Sequence, residues 1–259
     1  MSEAIRTAVI LAAGRGTRLA AAWRERPKGF LTLGREPIVL ESIHRLVAHG
    51  IDDVVIVTGH AAADYAELAR QRPRLIRTVH NERYADSGSL YSLDRALALT
   101  GGPFLLLESD LVYEPRALAV LLAHPAADAV LLSGPTGAGD EVFVATREQR
   151  LLDLSKDRAR LPAPAAGELV GISRISAELA TLLHRIAART FTRTLQADYE
   201  TDGLVAAARE RPIACPLVPD LLWGEIDDAR HLQRVRTAIY PAVAALDRAL
   251  PCGTASGQQ

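Results

Sequence analysis

Short apolar and β-branched runs alternate along this chain with longer stretches in which apolar residues recur at helical spacing. Thr7 to Ala12 reads as a buried strand, and Pro37 to His49 as a helix that aligns Ile38, Leu40, Ile43 and Leu46. Asp53 to Thr58 (DVVIVT) is a second buried strand, followed by an Ala-rich helix over Ala62 to Arg70. Leu75 to His80 predicts a third strand, Ser89 to Leu99 a helix, and Phe104 to Glu108 (FLLLE) a fourth strand. This β-α-β-α-β order predicts a parallel sheet with helices on both faces, because right-handed crossovers must pack back onto the sheet.

Beyond Ser133 the pattern changes. Glu141 to Thr146, Arg150 to Leu154 and Glu168 to Ser173 read as short, mostly antiparallel strands joined by Gly- and Pro-rich turns. Helices follow over Ala177 to Ala188 and Tyr199 to Arg209, then a strand over Ile213 to Val218 and a long closing helix over Ala229 to Leu246. The expected fold class is α/β and Rossmann-like, a mostly parallel central sheet with a small mixed β/α elaboration. One domain is expected over 1–249, with 133–212 as the elaboration covering one face of the ligand site and 250–259 as a disordered tail.

The chain has 259 residues, room for one large α/β domain or two small ones. No apolar run approaches the roughly 18 residues needed to span a bilayer. The apolar N-terminal stretch runs directly into a glycine turn, which suits a first strand better than a signal peptide. Neither of the two cysteines, Cys215 and Cys252, has metal-ligand spacing, so a reducing cytoplasm is the expected setting. A formal net charge of −1 argues against bulk nucleic-acid binding, and the seven histidines never cluster along the chain, which argues against a histidine-rich zinc site.

The candidate chemistry starts after the first strand, at Leu11-Ala12-Ala13-Gly14-Arg15-Gly16-Thr17-Arg18-Leu19. Glycines at 14 and 16 let the backbone approach an oxyanion, and successive N–H groups can converge on it. Arg15 and Arg18 add charge-assisted donors suited to phosphate oxygens. The GK[ST] ending of a Walker loop is missing, and Leu19 stands where a dinucleotide fingerprint has its third glycine. Pro27-Lys28 then supplies a lysine that a turn can fold back towards the phosphates.

The fourth strand runs into Ser109-Asp110, and ligands of open parallel sheets bind beyond the carboxyl ends of strands. Far along the chain, Glu225 and Asp227 alternate, so an extended backbone aims both at one side. Mg²⁺ takes a few carboxylates plus phosphate oxygens and water, which suits Asp110 with Asp227, and Glu225 is a further candidate ligand. Asp228 reads instead as the N-cap of the closing helix.

LAAGRGTRL followed by RPKGFLTLGREPIVLESIHRL resembles the opening of the nucleotidyltransferase superfamily that makes nucleotide-activated sugars and alcohols. That resemblance implies a nucleotidyltransferase fold in which Leu11, Ala12, Ala13, Gly14, Gly16 and Thr17 hold the nucleotide. It implies catalytic roles for Arg18 and for Lys28, which would stabilise charge at the phosphorus under attack, and a metal between two distant acids. Asn81-Glu82-Arg83-Tyr84 with Ser87-Gly88-Ser89-Leu90 is similar to a segment near the nucleoside in the phosphocholine and 2-aminoethylphosphonate cytidylyltransferases, which adds Ser87, Gly88 and Ser89. Many of those relatives carry an Asn within this segment, where the present chain has Ser87-Gly88-Ser89.

Gly137 to Val142 (GAGDEV), Leu154 to Arg158, Gly167 to Ser173 and Trp223 to Asp227 resemble the 2-aminoethylphosphonate branch in order and spacing. The resemblance spans Ile5 to Pro241 and implies Glu168 and Gly171 at the acceptor. A phosphonate needs a cation, for which Lys156 is the candidate. A primary ammonium donates three hydrogen bonds and favours carboxylates and a phenol, as in Asp198-Tyr199-Glu200, whereas a choline head group favours an aromatic cage. The implied partners are CTP and 2-aminoethylphosphonate, with Mg²⁺ as cofactor, a homodimer left open, and neither nucleic acid nor membrane. Competing readings are a phosphocholine cytidylyltransferase, a sugar-1-phosphate nucleotidyltransferase, and a nucleotide-binding module without turnover.

Overall fold

The computed structural model of the chain describes residues 4–19 and 26–247, so the tail expected over 250–259 lies outside the described residues. In chain order the first half contains β1 (Thr7–Ala12), α1 (Ile38–Ala48), β2 (Asp53–Thr58), α2 (Ala62–Gln71), β3 (Ile76–His80), α3 (Ser89–Leu97) and β4 (Phe104–Glu108). β5 (Leu111–Tyr113), α4 (Arg116–Ala123), β6 (Ala129–Ser133), β7 (Phe143–Arg147), β8 (Arg150–Ser155) and β9 (Ala165–Ile175) follow. The chain closes with α5 (Ala177–Phe191), α6 (Val205–Ala208), β10 (Leu217–Val218), β11 (Trp223–Glu225), α7 (Ala229–Arg234) and α8 (Tyr240–Asp247).

The protein is α/β, with a mostly parallel central sheet in the order β10-β6-β9-β4-β1-β2-β3. β1 pairs in parallel with both β2 and β4, and β2 with β3. Alternation explains why the inner strands read as unbroken apolar runs. Val9 and Leu11 of β1 enter one core with Val55, Val57 and Leu106, while Ala8, Ile10 and Ala12 enter the other with Val54, Ile56 and Leu105. A strand covered on both faces has no polar side to display.

β9 is the antiparallel member of this seven-strand order, paired with β4 on one edge and β6 on the other. Thus residues 165–175, within the stretch read as an elaboration, form a strand in the middle of the sheet, whereas β7 and β8 branch from it. A register shift interrupts the β6–β9 ladder between Val130 and Leu132. Gly171 sits there with φ +79°, the left-handed backbone that a bulge glycine supplies without strain.

Three expected elements take a different form. The strand expected over Ile213 to Val218 pairs as a strand only at Leu217–Val218, with Ala214 making isolated bridges and Pro216 offering no N–H between them. The helix expected over Tyr199 to Arg209 starts as a wide helical turn, Tyr199–Leu204, and narrows into α6. Gly203 in that turn lies so close to Leu90 that an added Cβ would meet its Cδ1 at 3.1 Å. The closing helix likewise widens over Val235–Ile239 between α7 and α8. No helix among the described residues is long and apolar enough to cross a membrane.

Candidate active site

A cavity of about 280 Å³ opens beyond the carboxyl ends of β1 and β4. Leu11, Ala12 and Ala13 line it from β1 and its end, and Gly14, Gly16, Thr17 and Arg18 from the loop that follows. Lys28, Ser87, Gly88, Ser89, Asp110 and Asp227 of the residues expected from the sequence also line it, with Tyr84, Ser92, Glu108 and Ser109, whereas Glu225 does not. The two glycines of the loop serve differently. Gly16 has φ +58°, and an added Cβ would stand 3.1 Å from Cγ of Lys28, so a side chain there strains the backbone and crowds the lysine. An added Cβ on Gly14 would meet nothing, so internal packing does not require glycine at that position.

Lys28 opens a short helical turn, Lys28–Phe30, set by the fixed φ of Pro27. Gly29 seats the turn against its surroundings, since a Cβ there would lie 2.6 Å from the Tyr65 hydroxyl and 3.0 Å from the Ser109 carbonyl. The Lys28 ammonium donates to Oδ2 of Asp110 at 2.7 Å and to Oδ1 of Asp227. Burial opposes the charge on Lys28, but attraction by Asp110 and Asp227 prevails and holds its pKa above the ordinary lysine value. Arg18 pairs with the other oxygen of Asp227 at 2.7 Å. Burial pushes Asp227 upward, yet Lys28 and Arg18 together lower it to about 2.

The antiparallel ladder of β5 with β11 brings the two distant acids together. Leu111 pairs with Glu225, and the Ile226 amide donates to the Asp110 carbonyl at 3.1 Å. Asp228 then caps α7, its carboxylate accepting the Arg230 and His231 amides at 2.8 and 2.9 Å, as the sequence predicts. Glu108, Asp110 and Glu225 each present a carboxylate oxygen within 4.8 Å of the others. Burial, then neighbouring carboxylates, push Glu108 and Glu225 well above the ordinary carboxyl range.

The expected acceptor residues divide into two groups. Tyr199 and Glu200 lie beside Glu108: burial, then Glu108 and Glu200, raise the Tyr199 phenol, whose buried oxygen makes no hydrogen bond. Burial also raises Glu200, while the nearby charge of the exposed Lys156 acts against that rise. Gly171 is next to this group, since a Cβ on it would stand 3.7 Å from Oε2 of Glu108. Asp198 instead faces Ser89, whose hydroxyl is 3.2 Å from its Oδ1 and accepts the Tyr199 amide at 2.9 Å. Glu168 is buried and accepts the Thr136 amide at 2.9 Å, away from the cavity lining.

Two features of the 81–89 segment have structural reasons of their own. Asn81 is a buried hub that donates to the hydroxyls of Ser87 and Ser92 at 3.1 and 3.0 Å. Gly88 presses on the 195–197 backbone, where a Cβ would lie 2.2 Å from the Ala197 carbonyl oxygen. Glu108 lines the cavity, whereas the sequence pattern alone presents it as the end of a strand. Its signal was its place two residues before Asp110, on the same side of an extended backbone.

Residues 8–162 match the family described as MobA-like NTP transferase domain. The CMP-5'-(3-aminopropyl)phosphonate synthase of Streptomyces rubellomurinus is 31% identical over 237 residues, covering 85% of this chain and 37% of that protein. The 2-aminoethylphosphonate cytidylyltransferase of Lancefieldella rimae is 28% identical over 116 residues, covering 42% of this chain and 47% of that protein. The chain therefore spans less than half the length of either relative in these matches. Among solved structures, the inositol-1-phosphate CTP transferase from T. maritima superposes with a TM-score of 0.81 at 18% identity, covering 97% of this chain and 100% of that one.

Proposed function

Because the chain belongs to the family of MobA-like NTP transferase domains, we propose that it is a Mg²⁺-dependent cytidylyltransferase that transfers CMP from CTP to an aminoalkylphosphonate, with 2-aminoethylphosphonate as the first candidate. The observation that carries this reading is the position of Lys28, between Asp110 and Asp227 in the cavity lined by the Gly14–Gly16 loop, with Glu108 continuing the lining. A triphosphate suits the loop and the two cations, and a primary ammonium suits the carboxylates of Glu108 and Glu200 beside the Tyr199 phenol. The names of the two aminoalkylphosphonate relatives agree with that pairing.

In this mechanism a phosphonate oxygen of the acceptor attacks the α-phosphorus of CTP, a new P–O bond forms, and the bond to the departing pyrophosphate breaks in line. The nucleophile is already anionic near neutral pH, so no general base is required. Lys28 exchanges its carboxylate partners for the α-phosphate, and Arg18 with the loop amides holds the phosphates that leave. Glu108, Asp110 and Glu225 offer only carboxylate oxygens, a hard donor set that fits Mg²⁺. Asp110 and Glu225 of this group, joined by Asp227 across Lys28, would hold that ion, which when bound supplies charge neutralisation at the α-phosphate.

The test is pyrophosphate release with Mg²⁺ and CTP, comparing 2-aminoethylphosphonate, 3-aminopropylphosphonate, phosphoethanolamine and phosphocholine as acceptors. Preference for an aminoalkylphosphonate is the expected result. Preference for phosphocholine would keep the nucleotide half of the reading and overturn the acceptor half. Tight CTP binding with no turnover on any acceptor would leave a binding module.

A further inference from the structure

We propose a second cation site, in which His231, Asp140 and Asp227 bind a first-row divalent transition ion such as Mn²⁺ or Co²⁺. The three side chains each present one ligand atom within 4.8 Å of the others. Asp227 also lines the main cavity, whereas Asp140 comes from the Gly137 to Val142 stretch, which nucleotidyl transfer leaves without a part. The site does not depend on which acceptor the chain uses.

His231 supplies the independent observation. It is 2% exposed, and its Nδ1 is buried without a hydrogen bond, 3.5 Å from Oδ2 of Asp140. Its Nε2 lies 3.2 Å from the Ala138 carbonyl oxygen. A carbonyl only accepts, so Nε2 carries a proton, and in the neutral ring Nδ1 then holds a lone pair. Nδ1 and the carboxylate oxygens of Asp140 and Asp227 thus converge without a hydrogen bond from Nδ1 to either acid, a geometry that a cation can bridge. A backbone carbonyl behind the distal nitrogen is also how metal-binding imidazoles are held in one tautomer and orientation.

The donor set decides the kind of ion. Mg²⁺ favours oxygen ligands throughout, whereas one imidazole with two carboxylates suits Mn²⁺, Co²⁺ or Zn²⁺. Three protein ligands leave coordination positions open to water or phosphate oxygens. Occupancy would also release Arg18 from its 2.7 Å pairing with Asp227.

The experiment is Mn²⁺ titration of the purified full chain without nucleotide, followed by pulsed EPR of the bound ion for coupling to a directly coordinated ¹⁴N. Imidazole coupling in the native protein is the expected result. It disappears in His231→Gln, Mn²⁺ affinity falls at least about tenfold in Asp140→Asn, and the coupling persists in Asp110→Asn. Bound Mn²⁺ without ¹⁴N coupling, or no bound Mn²⁺, overturns the site. The native spectrum decides this even if a variant fails to fold. Pyrophosphate release with Mg²⁺ and CTP, measured on the same preparation, tests the nucleotidyl-transfer reading separately.

Discussion

The Lys28 ammonium stands 2.7 Å from Oδ2 of Asp110, although the two residues lie 82 positions apart in the chain. The lysine neutralises two carboxylates that would otherwise repel each other, and a nucleotide phosphate offers it a competing anion. Lys28→Ala should therefore lower kcat by about 10²- to 10³-fold, the usual cost of losing one transition-state donor, with the circular dichroism spectrum unchanged. Titration with Mn²⁺ should also show tighter ion binding in the variant, because the ammonium no longer occupies Asp110 and Asp227. A fully active Lys28→Ala protein would remove the residue from the chemistry.

The loop glycines separate packing from ligand contact. Gly16→Ala should destabilise the fold by about 1–2 kcal/mol, the cost of a Cβ in left-handed backbone, and it should disturb Lys28 as well. Gly14→Ala has open space for its methyl, so the denaturation midpoint should stay within error of the native value while KM for CTP rises. Paired chemical denaturation and steady-state kinetics check both outcomes. An unchanged CTP KM in Gly14→Ala would argue that no phosphate approaches that backbone.

Why part of this was legible in the sequence and part was not follows from individual residues. β1, β2 and β4 read clearly because both of their faces are buried and turns bound them. α4 and β6 are built almost wholly of Ala, Leu and Val, and a fully buried strand of that composition has no period to distinguish it from a buried helix. The central position of β9 depends on strand order, which local pattern does not encode. Asp110 is legible from the strand-end rule and Asp227 from its alternation with Glu225, but Glu108 acquires its neighbours only when the 199–204 turn and β11 fold beside it. His231 meets Asp140 across separate segments, so a search for histidines near one another in sequence passes over it.

Glu200→Gln should raise KM for aminoalkylphosphonates by about 10- to 100-fold, since a hydrogen bond to a charged group contributes about 1.5–3 kcal/mol. KM for CTP should not change. The discriminating acceptor is an alkylphosphonate without the amine, which the native protein and Glu200→Gln should use equally well. Equal loss with both acceptors would show that Glu200 supports the fold of the turn instead of contacting an ammonium.

The acidic group makes stability depend on pH with a sign that can be worked out. Burial and nearby carboxylates raise Glu108 well above the ordinary glutamate value, so over that interval the folded chain retains a proton that the unfolded chain has released. Folding stability therefore falls as pH rises from the unfolded pKa through the folded one. Glu225 is displaced in the same direction. Asp227, lowered to about 2, acts oppositely, but its stabilisation is complete once pH exceeds the unfolded aspartate value of about 4. Between pH 4.5 and 8 the raised carboxyls thus set the slope contributed by this cluster. In protein kept in EDTA, Glu108→Gln should be more stable than the native chain at pH 8, and the difference should shrink towards pH 4.5. All other titrating groups are common to both proteins and cancel in the comparison. If Glu108 also receives the acceptor's ammonium, the stabilised variant should lose activity on aminoalkylphosphonates, because the charge that strains the empty fold is the charge that binds substrate. Denaturation curves that keep the same spacing at every pH would show that Glu108 does not hold its proton in the folded protein.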